Sequence, residues 1–303
     1  MSMTTNSRHD PVSRDTLEAA IDSYLDGLEA RDVSRVDWAE HVVFTENNVQ
    51  LALGDGLWNT VGKVRRDYRL TAVDTVTGQA CWFGHVEEGP DASVMCLRLA
   101  LRGGKIAEVE TIICRPHELG PFPQVDDARR PRPLLLADVP ESERVGRARM
   151  ISLADGYFDT LQLNDGTLLT EFTDDCDRIE NGLQTTNTRI EGYPIAAMGT
   201  ADQFRLGQYK YDDRVRDRRH PLVDEQKGLV LSAGFIDHAG HLTDITWIDG
   251  SRHKSIFHFP HSFVLLELFK ITGGKIAAVE ACFVTVPYNM VSPWLAPQPY
   301  VVR

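Results

Sequence analysis

Six of the ten histidines lie between residues 220 and 261: His220, His238, His241, His253, His258 and His261. Imidazole titrates near neutrality and is the commonest general acid or base. The N-terminal half holds His41 and His85, with His9 and His117 in flanking stretches, so chemistry is expected in the C-terminal half. In His258-Phe259-Pro260-His261 the proline and aromatic residues favour strand or loop over helix. No third imidazole or carboxylate stands at metal-ligand spacing, and no metal is expected. His258 and His261 are instead expected at a pocket mouth, bonding to substrate hydroxyls.

Glu267 interrupts the run Phe263 to Ile271. In a strand it shares a face with Phe263, Leu265, Phe269 and Ile271. A carboxylate there must be paired or hold its proton, which makes Glu267 a candidate acid or base; the other reading is an ion pair with an arginine such as Arg178. Arg178 and Glu180 alternate with Asp177, Ile179 and Asn181, so the first two share one face. The cluster Arg214 to His220 reads either as a clamp on an acidic or phenolate group or as a charged helix face with Asp212 and Asp213 as partners; His220, at its end, is kept as a binding candidate. Tyr211, Phe235, Phe257 and Trp247 line an aromatic pocket or form ordinary core. Glycine-rich phosphate loops, Gly-x-Ser-x-Gly, His-Glu-x-x-His and Cys-x-x-Cys do not occur, which disfavours nucleotide cofactors, serine-hydrolase chemistry and structural zinc.

The elements that position these residues repeat. Gly103-Gly-Lys-Ile-Ala-Glu-Val-Glu110 matches Gly273-Gly-Lys-Ile-Ala-Ala-Val-Glu280 at seven of eight positions, each between two hydrophobic runs. Run, Gly-Gly turn, run is a hairpin pattern, and its recurrence reads as an internal duplication. Tyr24-Leu25-Asp26-x-Leu28 answers Tyr157-Phe158-Asp159-x-Leu161, and Glu46-Asn47-Asn48 answers Glu180-Asn181-Gly182. Leu17, Ile21, Tyr24, Leu25 and Leu28 predict an amphipathic helix over 15–30, capped by Asp15 and Glu18. Met150, Ala154, Tyr157 and Leu161 predict its counterpart. A short second helix is expected over 38–43, loop over 49–62, helix over 202–219, strand over 228–237 and a His-rich loop region over 238–261. Residues 118–140 carry Pro121, Pro123, Pro131 and Pro133 and read as a linker without a packed element. The expected boundaries are a disordered tail 1–12, domains 13–117 and 141–290, and an extended tail 291–303 on the surface or at a partner.

The chain has 303 residues and a net charge of −12. That length suits about two domains, and that charge disfavours nucleic acid or an anionic membrane as partner. The start lacks the apolar core of a secretory signal, and the five scattered cysteines suit a reducing, cytoplasmic setting.

Helices followed by a curved antiparallel sheet is an α+β layout. The opening helix with Tyr-x-Asp or Tyr-Phe-Asp, the segment Asp174-Asp-Cys-Asp-Arg-Ile-Glu-Asn181 and the Gly-Gly-Lys-Ile hairpin together resemble the NTF2-like superfamily, with its SnoaL-like, ketosteroid-isomerase-like and scytalone-dehydratase-like members, in two tandem copies. The resemblance implies two cones, each with helices packed on a curved sheet around an apolar pocket, joined as a pseudo-dimer and forming a homodimer. It implies acid/base chemistry without organic cofactor on an aromatic or hydrophobic small molecule, and a tyrosine at the place of Tyr157 that binds a substrate or water oxygen. The catalytic aspartate of the isomerases is replaced here by Asn181, which cannot act as a base; Glu180 beside it either takes that role in a shifted register or holds a turn with Asn181. The function expected is a cofactor-independent lyase, dehydrating or carbon–carbon-cleaving, on a substrate such as a lignin-derived diaryl compound. A non-catalytic binding protein and an isomerase or hydratase are the alternatives. The expected catalytic residues are Glu180, His258, His261, Glu267 and Tyr157, and the expected binding residues Arg178, Asn181, His220, Tyr211, Phe235 and Trp247.

Overall fold

The structure is a computed structural model that describes residues 12–116, 125, 129–240, 244–255, 257–295 and 300–301. His9, His117, His241, Pro121 and Pro123 lie outside them. The N-terminal half runs α1 (Arg14–Ala30), β1 (Trp38–Glu46), β2 (Val49–Gln50), α2 (Leu57–Thr60), β3 (Lys63–Asp74), β4 (Gln79–Glu88), β5 (Asp91–Arg102) and β6 (Lys105–Cys114). After a connecting helix α3 (Pro133–Leu136) come α4 (Arg147–Leu163), β7 (Phe172–Glu180), β8 (Leu183–Gln184), α5 (Thr200–Leu206), β9 (Arg214–Asp224) and β10 (Leu229–His238). The hairpin β11 (Asp244–Thr246) and β12 (Arg252–Lys254) precedes β13 (His261–Thr272) and β14 (Lys275–Val286), and β15 (Tyr300–Val301) is the last strand among the described residues. Among the described residues no helix is long and apolar enough to cross a membrane.

The two large sheets share one plan. The first is ordered β15-β1-β6-β5-β4-β3, with β2 also paired to β1, and the second β8-β7-β14-β13-β10-β9, with β1 parallel to β6 and β7 parallel to β14. The class is therefore α+β, with helices on curved sheets. Both Gly-Gly hairpins form as expected, because the turn glycines adopt positive φ, 58° and 80° in the first and 55° and 76° in the second.

Strand alternation gives each sheet two apolar faces. One face of the first sheet packs on α1 through Leu17, Ile21, Tyr24 and Leu25, and one face of the second on α4 through Met150, Ala154, Tyr157 and Phe158. The remaining faces pack against each other, with Leu70, Phe83 and Cys96 meeting Leu231, Leu266 and Cys282. The layers are helix, sheet, sheet, helix. The edges of the contact are tied reciprocally. Asp74 accepts a hydrogen bond from the Val223 amide at 3.0 Å, and Asp224 accepts one from the Val73 amide at 3.1 Å. Arg147 at the start of α4 pairs with Asp74 at 2.5 Å, and Arg14 at the start of α1 with Asp224 at 2.7 Å. Burial alone would raise the pKa of Asp74, but Arg147 and the Val223 amide hold it below the ordinary carboxylate range.

Several local expectations change. Ser13, not Asp15, caps α1, by accepting from the Thr16 amide at 3.1 Å. Residues 38–43 are strand, not helix: the spacing of Trp38 and Val42 fits both, and pairing with β6 across a bulge decides it. Residues 49–62 hold β2 and α2 rather than only loop, and the hairpin β11–β12 crosses the expected loop 238–261. The helix expected over 202–219 stops at Gly207, in the left-handed region at φ 68°, and the chain turns into β9. Its arginines are therefore neither a helix face nor an open clamp. Arg214 and Arg216 pair with Asp237, Arg218 with Asp159, and Arg219 with Glu110 of the other sheet. The connection is also packed, since Leu135 is buried between the sheets. The end of the chain folds back, with Arg98 lying 4.4 Å over the Trp294 ring and β15 pairing with β1.

Breaking a buried ion pair leaves one charge uncompensated. Asp74→Asn and Asp224→Asn are each expected to lower unfolding stability by roughly 2–4 kcal/mol, discounted because each arginine partner is partly exposed. Urea denaturation checks this; an unchanged midpoint in both would show that the sheet contact does not depend on them.

Candidate active site

A cavity of about 550 Å³ opens between α4, β7, β13, β14 and the segment joining α5 to β9. Glu267 stands at its floor, 4% exposed and on one face with Phe263, Leu265 and Phe269. Burial, and then the neighbouring Glu180 carboxylate, push its pKa up to about 8; Arg178 and a hydrogen bond with Tyr157 oppose the shift. At neutral pH most of this carboxyl therefore carries its proton and can donate it.

Arg178 is 1% exposed and anchors the floor. Its Nε lies 3.5 Å from Glu180, its Nη2 donates to Gln203 Oε1 at 2.5 Å, and it also bonds the Tyr209 hydroxyl. Gln203 is oriented by its own amide, which donates to the carbonyls of Thr185 at 2.8 Å and Ile195 at 3.0 Å. That leaves Gln203 Oε1 as an acceptor for both Arg178 and, at 3.0 Å, Tyr209. Burial holds the Tyr157 and Tyr209 phenols well above their usual pKa, so both stay protonated donors.

A second polar group lines the upper wall. Asp212 Oδ1 lies 2.7 Å from His238 Nε2, off the line of the N–H bond. Burial raises the pKa of Asp212, and His238 partly offsets this. The His238 ring stacks on His261 at 4.5 Å and 5°, with Phe257 at 4.5 Å and Phe263 at 4.8 Å. The hairpin β11–β12 adds Trp247, stacked on His253.

The corresponding space in the N-terminal half is filled. Leu97 stands at the place of Glu267, and Trp58 and Trp82 are buried beneath α1. Trp82 lies so close over Gly84 that a Cβ there would come within 2.0 Å of the ring.

A family model described as "Domain of unknown function (DUF8021)" matches residues 10–113 and 143–283. The chain belongs to this family. The two matched segments of this DUF8021 protein contain all six common strands of each large sheet, apart from the last residues of β6 and β14. No curated protein matches. Among solved structures, a de novo designed protein with a curved β-sheet shares 17% identity over 34% of this chain and 88% of its own, with a TM-score of 0.28. A protein of unknown function with a cystatin-like fold from Methylobium petroleophilum PM1 shares 14% over 39% and 85%, with a TM-score of 0.30. AclR from Streptomyces galilaeus shares 11% over 50% and 96%, with a TM-score of 0.29.

Of the residues singled out from sequence, Tyr157, Arg178, Glu180 and Glu267 meet at the floor, and Tyr211, His238, Trp247, His253 and Phe257 line the wall. The others lie elsewhere. His258 is exposed, because Pro260 turns its segment outward before β13 begins. His261 sits behind His238 and bonds the Phe259 carbonyl at 2.9 Å. Asn181 is a strand bridge: its amide donates to the Phe283 carbonyl and accepts from the Phe283 amide, both at 2.9 Å. Asn47 does the same at Ile113 in the other half. His220 binds Ser232 and faces Asp155 outside the cavity. Phe235 belongs to the core between the sheets. Sequence reasoning missed Gln203, Tyr209 and the Asp212–His238 pair; the clustered run Gln208-Tyr209-Lys210-Tyr211-Asp212 was the available signal.

Because folded Glu267 keeps a proton that the unfolded chain releases from about pH 4.5, stability falls as pH rises toward about 8. The Glu267→Gln variant lacks this loss. It should match the wild type near pH 4 and become progressively more stable than it up to pH 8, after which the gap stays constant; urea titrations across that range measure it.

Proposed function

We propose that the C-terminal half is a cofactor-independent acid/base enzyme, a lyase of the dehydrating type, acting on an aromatic or otherwise hydrophobic small molecule. The observation that carries this reading is Glu267: a carboxyl kept protonated at neutral pH at the floor of an apolar cavity, with a second carboxylate, Glu180, beside it. Two acids side by side, one of them holding its proton, can take opposite roles. Glu180 takes the proton as a substrate C–H bond breaks. The C–O bond electrons leave with the oxygen, which receives the Glu267 proton and departs as water, and a carbon–carbon double bond remains. Proton exchange with solvent then restores both carboxyls. Arg178, with the Tyr157 hydroxyl, stabilises charge on the departing oxygen, and Tyr209 and Gln203 hold Arg178 in place.

The wider reading is of two tandem NTF2-like cones joined as a pseudo-dimer. The shared strand order and the reciprocal Asp74 and Asp224 contacts support it. The Trp-filled first copy serves as the partner that covers the second sheet. Five buried free thiols accord with a cytoplasmic setting.

The test is turnover of a panel of aryl and alicyclic alcohols, followed by Glu180→Gln and Glu267→Gln. Each substitution is expected to lower kcat about a hundredfold or more while ligand-induced thermal shifts persist. The wild-type rate should also fall above about pH 8 as Glu267 ionises. Thermal shifts without turnover by the wild-type protein would make this a binding protein, and full activity in both variants would remove these residues from the mechanism.

A further inference from the structure

We propose that the cavity takes an elongated ligand with a hydrogen-bonding group at each end and apolar rings between them, its far end bound as a hydroxyl by His238 braced on Asp212. This rests on the reading of the cavity as a ligand site and adds the shape and polarity of what it holds.

The strand register sets the length. On β10, Ser232 lies opposite Glu267 and His238 lies opposite His261. Six residues separate the two levels, which is roughly 20 Å of strand at about 3.3 Å per residue. The floor group and the upper group therefore do not converge on one atom. On the face of β13 between them the wall is Phe263 and Leu265, with Phe283 beside them on β14. Polar groups at both ends of an apolar, ring-lined trough complement a rod-shaped molecule with two polar ends, and the volume lies in the range of sites that hold one organic ligand.

His238 itself points to the chemistry of the far end. It is 1% exposed and immobilised by Asp212, His261, Phe257 and Phe263, yet neither ring nitrogen has a hydrogen-bond partner among the described residues, Asp212 lying close to Nε2 but off the line of its N–H bond. A buried polar atom without a partner is costly unless something else meets it. With the ring proton on Nε2, the nitrogen nearer the Asp212 carboxyl, Nδ1 is an acceptor. It fits an O–H donor, as in a phenol or alcohol, better than a carbonyl or carboxylate.

Calorimetric titration with 4-hydroxystilbene and 4,4′-dihydroxystilbene tests this. The wild-type protein should bind the two-ended compound about tenfold more tightly than the one-ended compound. His238→Phe, which keeps the ring and removes the acceptor, should abolish that difference and leave the affinity for 4-hydroxystilbene unchanged. Asp212→Asn should reduce the difference in the same direction and guards against a folding defect, which thermal melting of each variant would reveal. Equal binding of both compounds to the wild type, or equal weakening of both by His238→Phe, overturns the two-ended ligand while leaving the acid/base reading intact. Failure of both compounds to bind overturns this inference, and turnover of the alcohol panel then decides the acid/base reading separately. Conversely, a retained two-ended preference with no turnover of any substrate removes the enzyme and keeps this inference.

Discussion

The contact between the backs of the two sheets is what the rest of the molecule depends on. Strands such as β5 and β13 are apolar along nearly their whole length, with Leu97 and Leu99 turned one way and Val94 and Cys96 the other, or Phe263 and Leu265 one way and Val264 and Leu266 the other. A sheet built this way must be covered on both faces. One helix covers the concave side, and only a second sheet supplies enough apolar area for the back. The polar rim of that contact is satisfied within it: Asp74 and Asp224 each receive an amide and a guanidinium from the opposite half. At the centre, Glu110 lies between Arg98 of its own sheet and Arg219 of the other, and Tyr68 donates to Glu280 at 2.6 Å. The Glu110 charge is tolerated because two guanidinium groups meet it, whereas burial pushes the Glu280 carboxyl above the ordinary carboxylate range.

Once the backs are sealed, the helix-covered sides are free to differ. In the N-terminal half Trp58 and Trp82 fill the space under α1, and the absence of a side chain at Gly84 is what lets Trp82 lie flat there. In the C-terminal half the aromatic residues line walls instead of filling the centre, and a carboxylic acid replaces Leu97. An ionised Glu267 at that place would carry the full cost of desolvation, so it holds its proton, and the same apolar packing that preserves the cavity sets the chemistry of its floor. Arg178 and Gln203 make this arrangement rigid, because the Gln203 amide is fixed by the Thr185 and Ile195 carbonyls and its oxygen in turn holds Arg178 Nη2 and the Tyr209 hydroxyl.

The clash between β9 and its sequence shows why charge runs mislead. Arg214 to Arg219 read as a positive surface, yet the carboxylates that neutralise them come from β10, from α4 and from the other sheet. Apart from Asp217, which meets Arg216, these partners are distant in sequence, so no local pattern could reveal that the cluster is structural. Asn181 carries a similar lesson: the Glu-Asn repeat was visible, but its bridging of two parallel strands was visible only once β14 lay beside β7.

What the sequence by itself determined are the features whose causes lie within a few residues. The Gly-Gly hairpins, the apolar stripes of α1 and α4, and the placement of Glu267 on a face with Phe263 and Leu265 all follow from turn chemistry and from periods of 3.6 and 2. Tertiary structure decided the rest. It decided that residues 38–43 extend, that the chain after Gly207 becomes an edge strand, that His258 faces water, and that Asp212 reaches His238. Those outcomes depend on which strand pairs with which and on what covers each face, and such pairings are fixed by the burial of the whole, not by the composition of any one segment.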